Sequence, residues 1–174
     1  IILSIEDLKF CYGNIIGIVG ENGIGKSTLA KIICGLYKEN KGKILKDNEK
    51  LNIKSRLNES LLIMQEVNYQ LFTDSVKDEI VLTSNIKDDY VLDTWLKDME
   101  LKNISDRNPH TLSGGQKQRV IILSALLSDK KILFFDEPTS GLDYRNMKIV
   151  AKNIKKVKEE DKLILIISHD VEFL

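Results

Sequence analysis

A glycine-rich segment is the part of the sequence with the clearest chemical meaning. Residues 20–27 read GENGIGKS and fit the phosphate-loop pattern G-x-x-x-x-G-K-[ST]. The glycines let successive backbone N–H groups turn toward one anion, and the N-terminus of a following helix adds about half a positive charge there. Lys26 adds a full charge for the β- and γ-phosphates, and Ser27 offers a hydroxyl to Mg²⁺. The segment therefore predicts a binding site for a nucleoside triphosphate.

Two adjacent acids end an apolar run later in the chain. Residues 132–135 read ILFF and are followed by Asp136, Glu137 and Pro138. Neighbouring side chains of a strand point to opposite faces, so the two carboxylates should have different roles where the strand ends. Asp136 is placed to hold Mg²⁺, directly or through water, and Glu137 to polarise a water that attacks the γ-phosphate. Without the phosphate loop, two acids that open a turn would be an equally good interpretation.

A third segment, residues 112–116, reads LSGGQ and precedes a stretch of helical character. Ser113 and Gln116 are spaced as a capping box, so a well-made helix N-terminus would already explain them. The two glycines between them weaken a helix, and that cost makes sense where phosphates must approach bare backbone. We therefore expect Ser113, Gly114, Gly115 and Gln116 to lie against a nucleotide.

These segments require a scaffold in which strands and helices alternate. Apolar residues recur at helical spacing in several stretches, and between them lie short apolar runs with the length of buried strands, at residues 15–19, 61–64, 131–135 and 163–167. Such alternation predicts an α/β fold with a mostly parallel sheet that helices cover on both faces.

Two further parts of the chain are expected to add to this sheet. Residues 38–54 are polar and turn-rich, with Gly42 and the pair Asp47 and Asn48, which predicts a hairpin or edge strands and hence a small antiparallel β part. Residues from about 73 to 127 lack a long apolar β run and look mainly helical. We expect them to form a helical subdomain inserted within one domain, residues 1–174.

Composition excludes several classes of protein. The 174 residues carry 26 Lys and Arg against 26 Asp and Glu, so the chain has no basic excess for binding nucleic acid. Two cysteines exclude a disulfide scaffold and a structural zinc site. No apolar run approaches the roughly 20 residues that cross a bilayer, and the first residues lack the basic start of a signal peptide. We expect a soluble domain that reaches any membrane through a partner.

The order of these motifs resembles that of the ATP-binding cassette (ABC) ATPases, and the resemblance spans nearly the whole chain. Besides the three segments above, it includes Gln65, the SGLD run at residues 140–143, and His169. The LSGGQ run is much more diagnostic of this family than the phosphate loop. Residues 64–72, which read MQEVNYQLF, are similar to the subgroup that drives energy-coupling-factor and cobalt-type importers. The resemblance implies a P-loop NTPase fold.

In that family two nucleotide-binding domains pack head to tail, and each ATP lies between the phosphate loop of one and the LSGGQ turn of the other. The resemblance therefore implies a second ABC ATPase subunit, identical or different, as a partner. Gln65 would contact Mg²⁺ or the attacking water, and its loop would couple to transmembrane subunits. His169 would sense the γ-phosphate, and Asp143 would face the partner's site. The nucleotide cradle would consist of Asn22, Gly23, Ile24, Gly25, Lys26, Ser27 and Thr28.

An aromatic residue upstream of the phosphate loop stacks on adenine in the family, and Tyr12 matches that position. Tyr12 and Lys26 are only 14 positions apart, which is short for the family, and the strand pair usually found between them is missing. The chain also ends soon after His169, where family members usually continue. We therefore expect a truncated form of the domain, or one from which segments are missing.

The leading hypothesis from the sequence is an ATPase that uses ATP and Mg²⁺ to drive an ABC transporter, in particular an importer. It would lie on the cytoplasmic face of the cell membrane, held there by transmembrane subunits. The alternative is a non-transport ABC-type ATPase of DNA repair or of ribosomes, but such relatives usually carry a coiled-coil insert or a second cassette. Glu137 and His169 are both present, which argues against a nucleotide switch that does not hydrolyse.

Overall fold

The structure is a computed structural model that describes residues 5, 7–84, 86, 88–157, 161–170 and 172–173. Strands and helices alternate along most of the chain, as the sequence predicts. The strands are β1 (Ile15–Ile18), β2 (Leu45–Lys46), β3 (Glu49–Lys50), β4 (Ser60–Ile63), β5 (Ile132–Asp136) and β6 (Leu163–Ile167). The helices are α1 (Lys26–Ile33), α2 (Ile53–Glu59), α3 (Val76–Thr83), α4 (Asp89–Asp98), α5 (Gly114–Leu127) and α6 (Tyr144–Lys156).

Four of the strands form one parallel sheet in the order β1-β6-β5-β4. The register places Ile15 opposite Ile164 and Phe134 opposite Leu165. All five residues of β6 are buried, because a central parallel strand is covered on both faces and can be apolar throughout. The predicted α/β fold with a parallel sheet is confirmed. Since the four strands run the same way, their carboxyl ends meet at one edge of the sheet.

Alternate residues of the strands serve two separate cores. Leu133 and Phe135 of β5 belong to a large cluster that also contains apolar residues of α3, α4, α5 and α6. Phe134, which points to the other face, belongs to a smaller cluster with Ala30 and Cys34 from α1 and the turn after it. The sheet is therefore covered on both sides, and α1 is fixed to the face opposite α5.

Side chains at the helix N-termini explain where several helices begin. Asn52, Ser75, Asp88, Ser113 and Asp143 each precede a helix and accept a hydrogen bond from a backbone N–H of its first turn. Three of these helices, α3, α4 and α5, fall within the stretch of about 73 to 127 that was expected to be helical. They contribute to the same core as the sheet, and their division into a subdomain stays a prediction. Within the described part of the chain, none of the helices combines the length and apolar character needed to span a membrane.

The predicted antiparallel part is a short hairpin of β2 and β3. Leu45 lies opposite Lys50, and the two residues of the turn, Asp47 and Asn48, have φ of 51° and 67°. Positive φ at both positions is the geometry of the tight turns that match the twist of a hairpin, and Asp and Asn tolerate it well. The Lys46 ammonium bonds the Glu59 carboxylate at 2.6 Å, which attaches the hairpin to α2.

The two cysteines allow a test of this packing. Burial raises the pKa of the Cys34 thiol to about 11, although a hydrogen bond with Ser60 acts in the opposite direction. Cys11 is exposed. Because the thiolate is the reactive form, we expect a thiol reagent at about pH 8 to modify one thiol per folded chain and both in denaturant. In Cys11→Ser the folded chain should be unreactive, and rapid labelling of that variant would contradict the burial of Cys34.

Candidate functional site

The carboxyl edge of the parallel sheet gathers the residues that the sequence singles out. The phosphate loop follows β1, and Gln65 follows β4. Asp136 ends β5 with Glu137 next to it, and His169 follows β6. Adjacent strands lie about 4.8 Å apart, so four strand ends bring side chains from distant parts of the sequence within reach of one ligand.

Two adjoining cavities of about 700 and 210 Å³ open at this edge, and together they are called the cleft below. Both are lined by five of the predicted residues, namely Asn22, Gly23, Gln65, Glu137 and His169. The smaller cavity runs along the phosphate loop, where it is also lined by Gly25, Lys26, Ser27, Thr28, Asp136 and Ile167. The structure thus brings most of the predicted cradle together with the predicted acids.

The backbone of the phosphate loop requires glycine at two of its turns. Gly23 has φ of 81° and Gly25 has φ of 110°, values that other residues rarely adopt. Gly25 is the residue from which α1 starts, so its conformation turns the chain directly from loop to helix. The first N–H groups of α1 have no partner within the helix and can bind an anion.

The Lys26 ammonium lies at the mouth of this loop. It donates hydrogen bonds to the carbonyl oxygens of Gly20 at 2.7 Å and Glu21 at 3.0 Å. It also lies 3.3 Å from Nε2 of His169, which follows a different strand. An ammonium has three protons, so two fix the side chain against the loop and the third remains for His169 or for a ligand in the cleft.

Glu137 is held in a strained conformation beside His169. Its φ is 52°, and its N–H donates to the Ile167 carbonyl at 2.9 Å. Oε1 lies 3.4 Å from Nε2 of His169, and Oε2 accepts the His169 N–H at 3.4 Å. Oε1 is buried but accepts no well-formed hydrogen bond from the described residues. A buried carboxylate oxygen of this kind is suited to accept a proton from a water molecule in the cleft.

Oxygen donors suited to Mg²⁺ line the smaller cavity. The Ser27 hydroxyl, the Gln65 amide and the Asp136 carboxylate all face it. In the described ranges no group of three or more His, Cys, Asp or Glu could hold a metal alone. Mg²⁺ in nucleotide sites is bound by one or two protein oxygens together with waters and phosphates. The donor set therefore fits Mg²⁺ that arrives with a nucleotide.

The LSGGQ turn lies outside the cleft. Ser113 and Gln116 form the predicted capping box, with the Ser113 N–H 3.0 Å from the Gln116 side chain. At Gly114 a side chain would meet nothing within 4 Å, but at Gly115 a Cβ would come within 3.2 Å of Leu142 Cδ2. Packing against Leu142 is thus one reason for Gly115, whereas nothing within the described chain requires Gly114.

Besides the LSGGQ turn, two predicted nucleotide-binding residues do not line the cleft. Tyr12 precedes β1, while the phosphate loop follows it, and a strand of four residues separates the two by about 13 Å. The Tyr12 ring lies 5.4 Å from the Lys46 ammonium, near the hairpin. Tyr12 does not line the cleft, and its stacking on adenine stays a prediction. Ile24 belongs to the phosphate loop, but its side chain is exposed and does not line the cleft.

The larger cavity includes residues that the sequence analysis missed. Thr139 and Asp170 line it together with Ser140 of the SGLD run. Both missed residues come within two positions of a residue that was singled out at a strand end. The rule that the carboxyl edge of a parallel sheet binds ligands could have identified them.

Comparison with known proteins agrees with this arrangement. A family model described as ABC transporter matches residues 3–140. The chain belongs to the ABC transporter family. A putative ABC transporter ATP-binding protein of Treponema denticola is 43% identical over 98% of this chain, which covers 35% of that protein. The chain spans only about a third of the length of the first curated relatives.

Two further relatives carry more specific names. The energy-coupling factor transporter ATP-binding protein EcfA of Aster yellows witches'-broom phytoplasma is 36% identical, and the alignment covers 98% of this chain and 71% of that protein. The solved structure of CbiO1 from Clostridium perfringens, described as part of the ABC transporter complex CbiONQ, has a TM-score of 0.77 at 31% identity. That match covers 94% of this chain and 70% of CbiO1.

The role of the phosphate loop in binding ATP can be tested by removing the Lys26 ammonium. We expect Lys26→Ala to weaken ATP binding by about 10- to 100-fold, because a hydrogen bond to a charged group contributes about 1.5–3 kcal/mol. Isothermal titration calorimetry with Mg²⁺ and ATP would measure the change. Lys31→Ala is the matched control, since Lys31 lies on the same helix beside Tyr37. Equal affinities for the two variants would contradict the assignment of Lys26.

Proposed function

We propose that this chain binds ATP with Mg²⁺ and hydrolyses it, and that hydrolysis drives an ABC transporter. The observation that supports this most strongly is the contact of Lys26, Glu137 and His169. They come from three strand ends, and each of the other two lies within 3.4 Å of the His169 ring nitrogen Nε2. Phosphoryl transfer to water requires a cation that binds phosphate, a base that accepts the proton of water and a hydrogen-bonding group between them. Lys26, Glu137 and His169 would supply these in turn.

The phosphate loop and α1 would bind the triphosphate. Backbone N–H groups of the loop, the positive end of α1 and the Lys26 ammonium all act on the same region. Lys26 is already fixed by two carbonyl oxygens, so little reorganisation is needed when a phosphate arrives. Ser27, Gln65 and Asp136 would hold Mg²⁺, which when bound neutralises negative charge on the β- and γ-phosphates.

Glu137 would act as the general base. Its Oε1 would accept a hydrogen bond from the attacking water and take up the proton as the new bond to the γ-phosphate forms. His169 would orient the carboxylate through its backbone N–H, which donates to Oε2, and its ring would contact the γ-phosphate. Gln65 lines both cavities and would orient the same water.

A second ABC ATPase subunit would complete the site. In the LSGGQ turn at the N-terminus of α5, Ser113 and Gly114 are exposed, and the turn does not line the cleft of its own chain. Its capping box satisfies the Ser113 and Gln116 backbone N–H groups, while Gly114 leaves bare backbone facing outward. In a head-to-tail pair of such chains, this turn would lie against the phosphates bound by the partner. ATP would then join the two subunits, and loss of the γ-phosphate would let them separate.

Exposed apolar side chains near Gln65 support membrane partners. Tyr69 and Phe72 are each about three-quarters exposed, and Leu82 and Tyr90 on α3 and α4 are also exposed. Aromatic residues left in solvent in this way mark protein interfaces. We propose that transmembrane subunits cover them and hold the chain at the cytoplasmic face of the membrane. The names of EcfA and CbiO1 favour an importer of the energy-coupling-factor type.

The role of Glu137 can be tested by Glu137→Gln. We expect kcat for ATP hydrolysis to fall by at least about 100-fold, because the amide cannot accept the proton. ATP affinity should change little, so the variant should accumulate as ATP-bound dimers. A phosphate-release assay and size-exclusion chromatography with ATP would measure both effects. Glu49→Gln, which removes the same charge from the exposed hairpin, is the control; full turnover by Glu137→Gln would exclude a base role.

The contact across subunits can be tested at Ser113. Asp and Asn both cap helices as well as Ser does, so neither substitution should disturb α5. Ser113→Asp adds a negative charge that would face the partner's phosphates, and we expect at least about a tenfold loss of kcat from that repulsion. Ser113→Asn should lower kcat less, and ATP binding by the monomer should be unchanged in both variants. Equal turnover by the two variants would argue against this contact.

A further inference from the structure

A buried carboxylate on α3 bonds the chain segment that follows Gln65. Glu79 is 2% exposed. Its Oε2 accepts hydrogen bonds from the Phe72 N–H at 2.8 Å, the Thr73 N–H at 2.9 Å and the Thr73 hydroxyl at 2.9 Å. The Glu79 carboxylate forms no ion pair with any described cation. Burying a carboxylate without a counter-charge is unfavourable, and these three donors offset part of that cost.

The other end of the same segment is bonded to the sheet. The Gln70 side chain accepts the Met64 N–H at 3.0 Å and donates to the Leu62 carbonyl at 3.0 Å. These two bonds close the turn that contains Gln65 against the end of β4. The segment 64–73 is therefore attached to β4 through Gln70 and to α3 through Glu79, and Gln65 lies between β4 and the rest of the segment.

Helix α3, to which the segment is attached, is itself connected to α5, the helix that begins at the LSGGQ turn. The Ser124 hydroxyl of α5 donates to the Glu79 carbonyl at 3.2 Å, and α3 packs along α5. On the surface, Lys117 of α5 donates to Asn68 at 2.9 Å, but this exposed bond competes with water. The three bonds to Glu79 are part-buried, so they compete less with water than the exposed Lys117 bond and are the stronger connection between the Gln65 segment and the helices.

We propose that Glu79 is a positioning residue for Gln65. Glu79 attaches residues 72–73 to α3 while Gln70 attaches the turn to β4, so the location of Gln65 in the cleft depends on α3 as well as on β4. The inference rests on the proposed function, because Gln65 acts only if the cleft hydrolyses ATP.

Glu79→Gln tests the attachment directly. The amide keeps the shape of the side chain but loses the charge that strengthens all three bonds. In hydrogen exchange of the purified protein, we expect the Phe72 and Thr73 amides to exchange at least about tenfold faster. Asp74→Asn removes the same charge from an exposed residue of the same segment and should leave both amides protected. Unchanged exchange in Glu79→Gln would overturn the proposal whether or not the chain hydrolyses ATP.

A double-substitution cycle tests whether Glu79 acts through Gln65. In the assembled protein, Glu79→Gln should lower kcat by about tenfold with the KM for ATP within about twofold, since only the water-orienting group is displaced. Combined with Gln65→Ala, it should cause no further loss. If the kcat losses of the two single variants multiply in the double variant, the positioning role is overturned and the proposed function is left intact. Absence of hydrolysis in the unsubstituted protein would instead overturn the proposed function.

Discussion

The parallel hydrogen bonding of β1, β6, β5 and β4 is the constraint on which the rest of the molecule depends. It places Ile18 opposite Ile167 and Asp136 opposite the same residue, so loops that follow different strands start at one level. A slip of one residue in β5 would turn Asp136 to the opposite face and bury it in an apolar core. The alternating cores on the two faces forbid that slip. The packing that fixes the strand register therefore also fixes which side chains lie at the site.

The cleft combines features that are unfavourable on their own. Glu137 has a positive φ, and one of its carboxylate oxygens is buried without a good hydrogen bond. Each such feature costs on the order of 1–3 kcal/mol. The burial of β5 and β6 offsets that cost, since burying one large apolar side chain contributes about 1.5–3 kcal/mol. Among the described residues, Glu137 is the one that combines a positive φ with a buried side-chain oxygen that lacks a good hydrogen bond, and it is also the residue with the proposed chemical role.

Sequence reasoning succeeded where local chemistry and strand direction were sufficient. The phosphate loop is recognisable alone, the acids after β5 and His169 are recognisable beside it, and parallel strands must bring them to one edge. Tyr12 stays a prediction, because its distance from the phosphate loop depends on what lies between them, and here β1 alone does. Gly115 and Glu79 could not be interpreted from sequence, because their reasons are contacts with Leu142 and with residues 72–73 that only tertiary packing creates.

Side-chain contacts made by tertiary packing also join the LSGGQ turn to the cleft of its own chain. Gly115 packs against Leu142, and Asp143 accepts hydrogen bonds from the Asn146 backbone and side chain. Asn146 is in turn bonded by the buried Arg119 of α5. The turn after β5, which lines the cleft at Ser140, therefore cannot move without the N-terminal part of α5. If the partner's nucleotide binds that helix end, a change in one cleft is passed to the other through side chains already in contact.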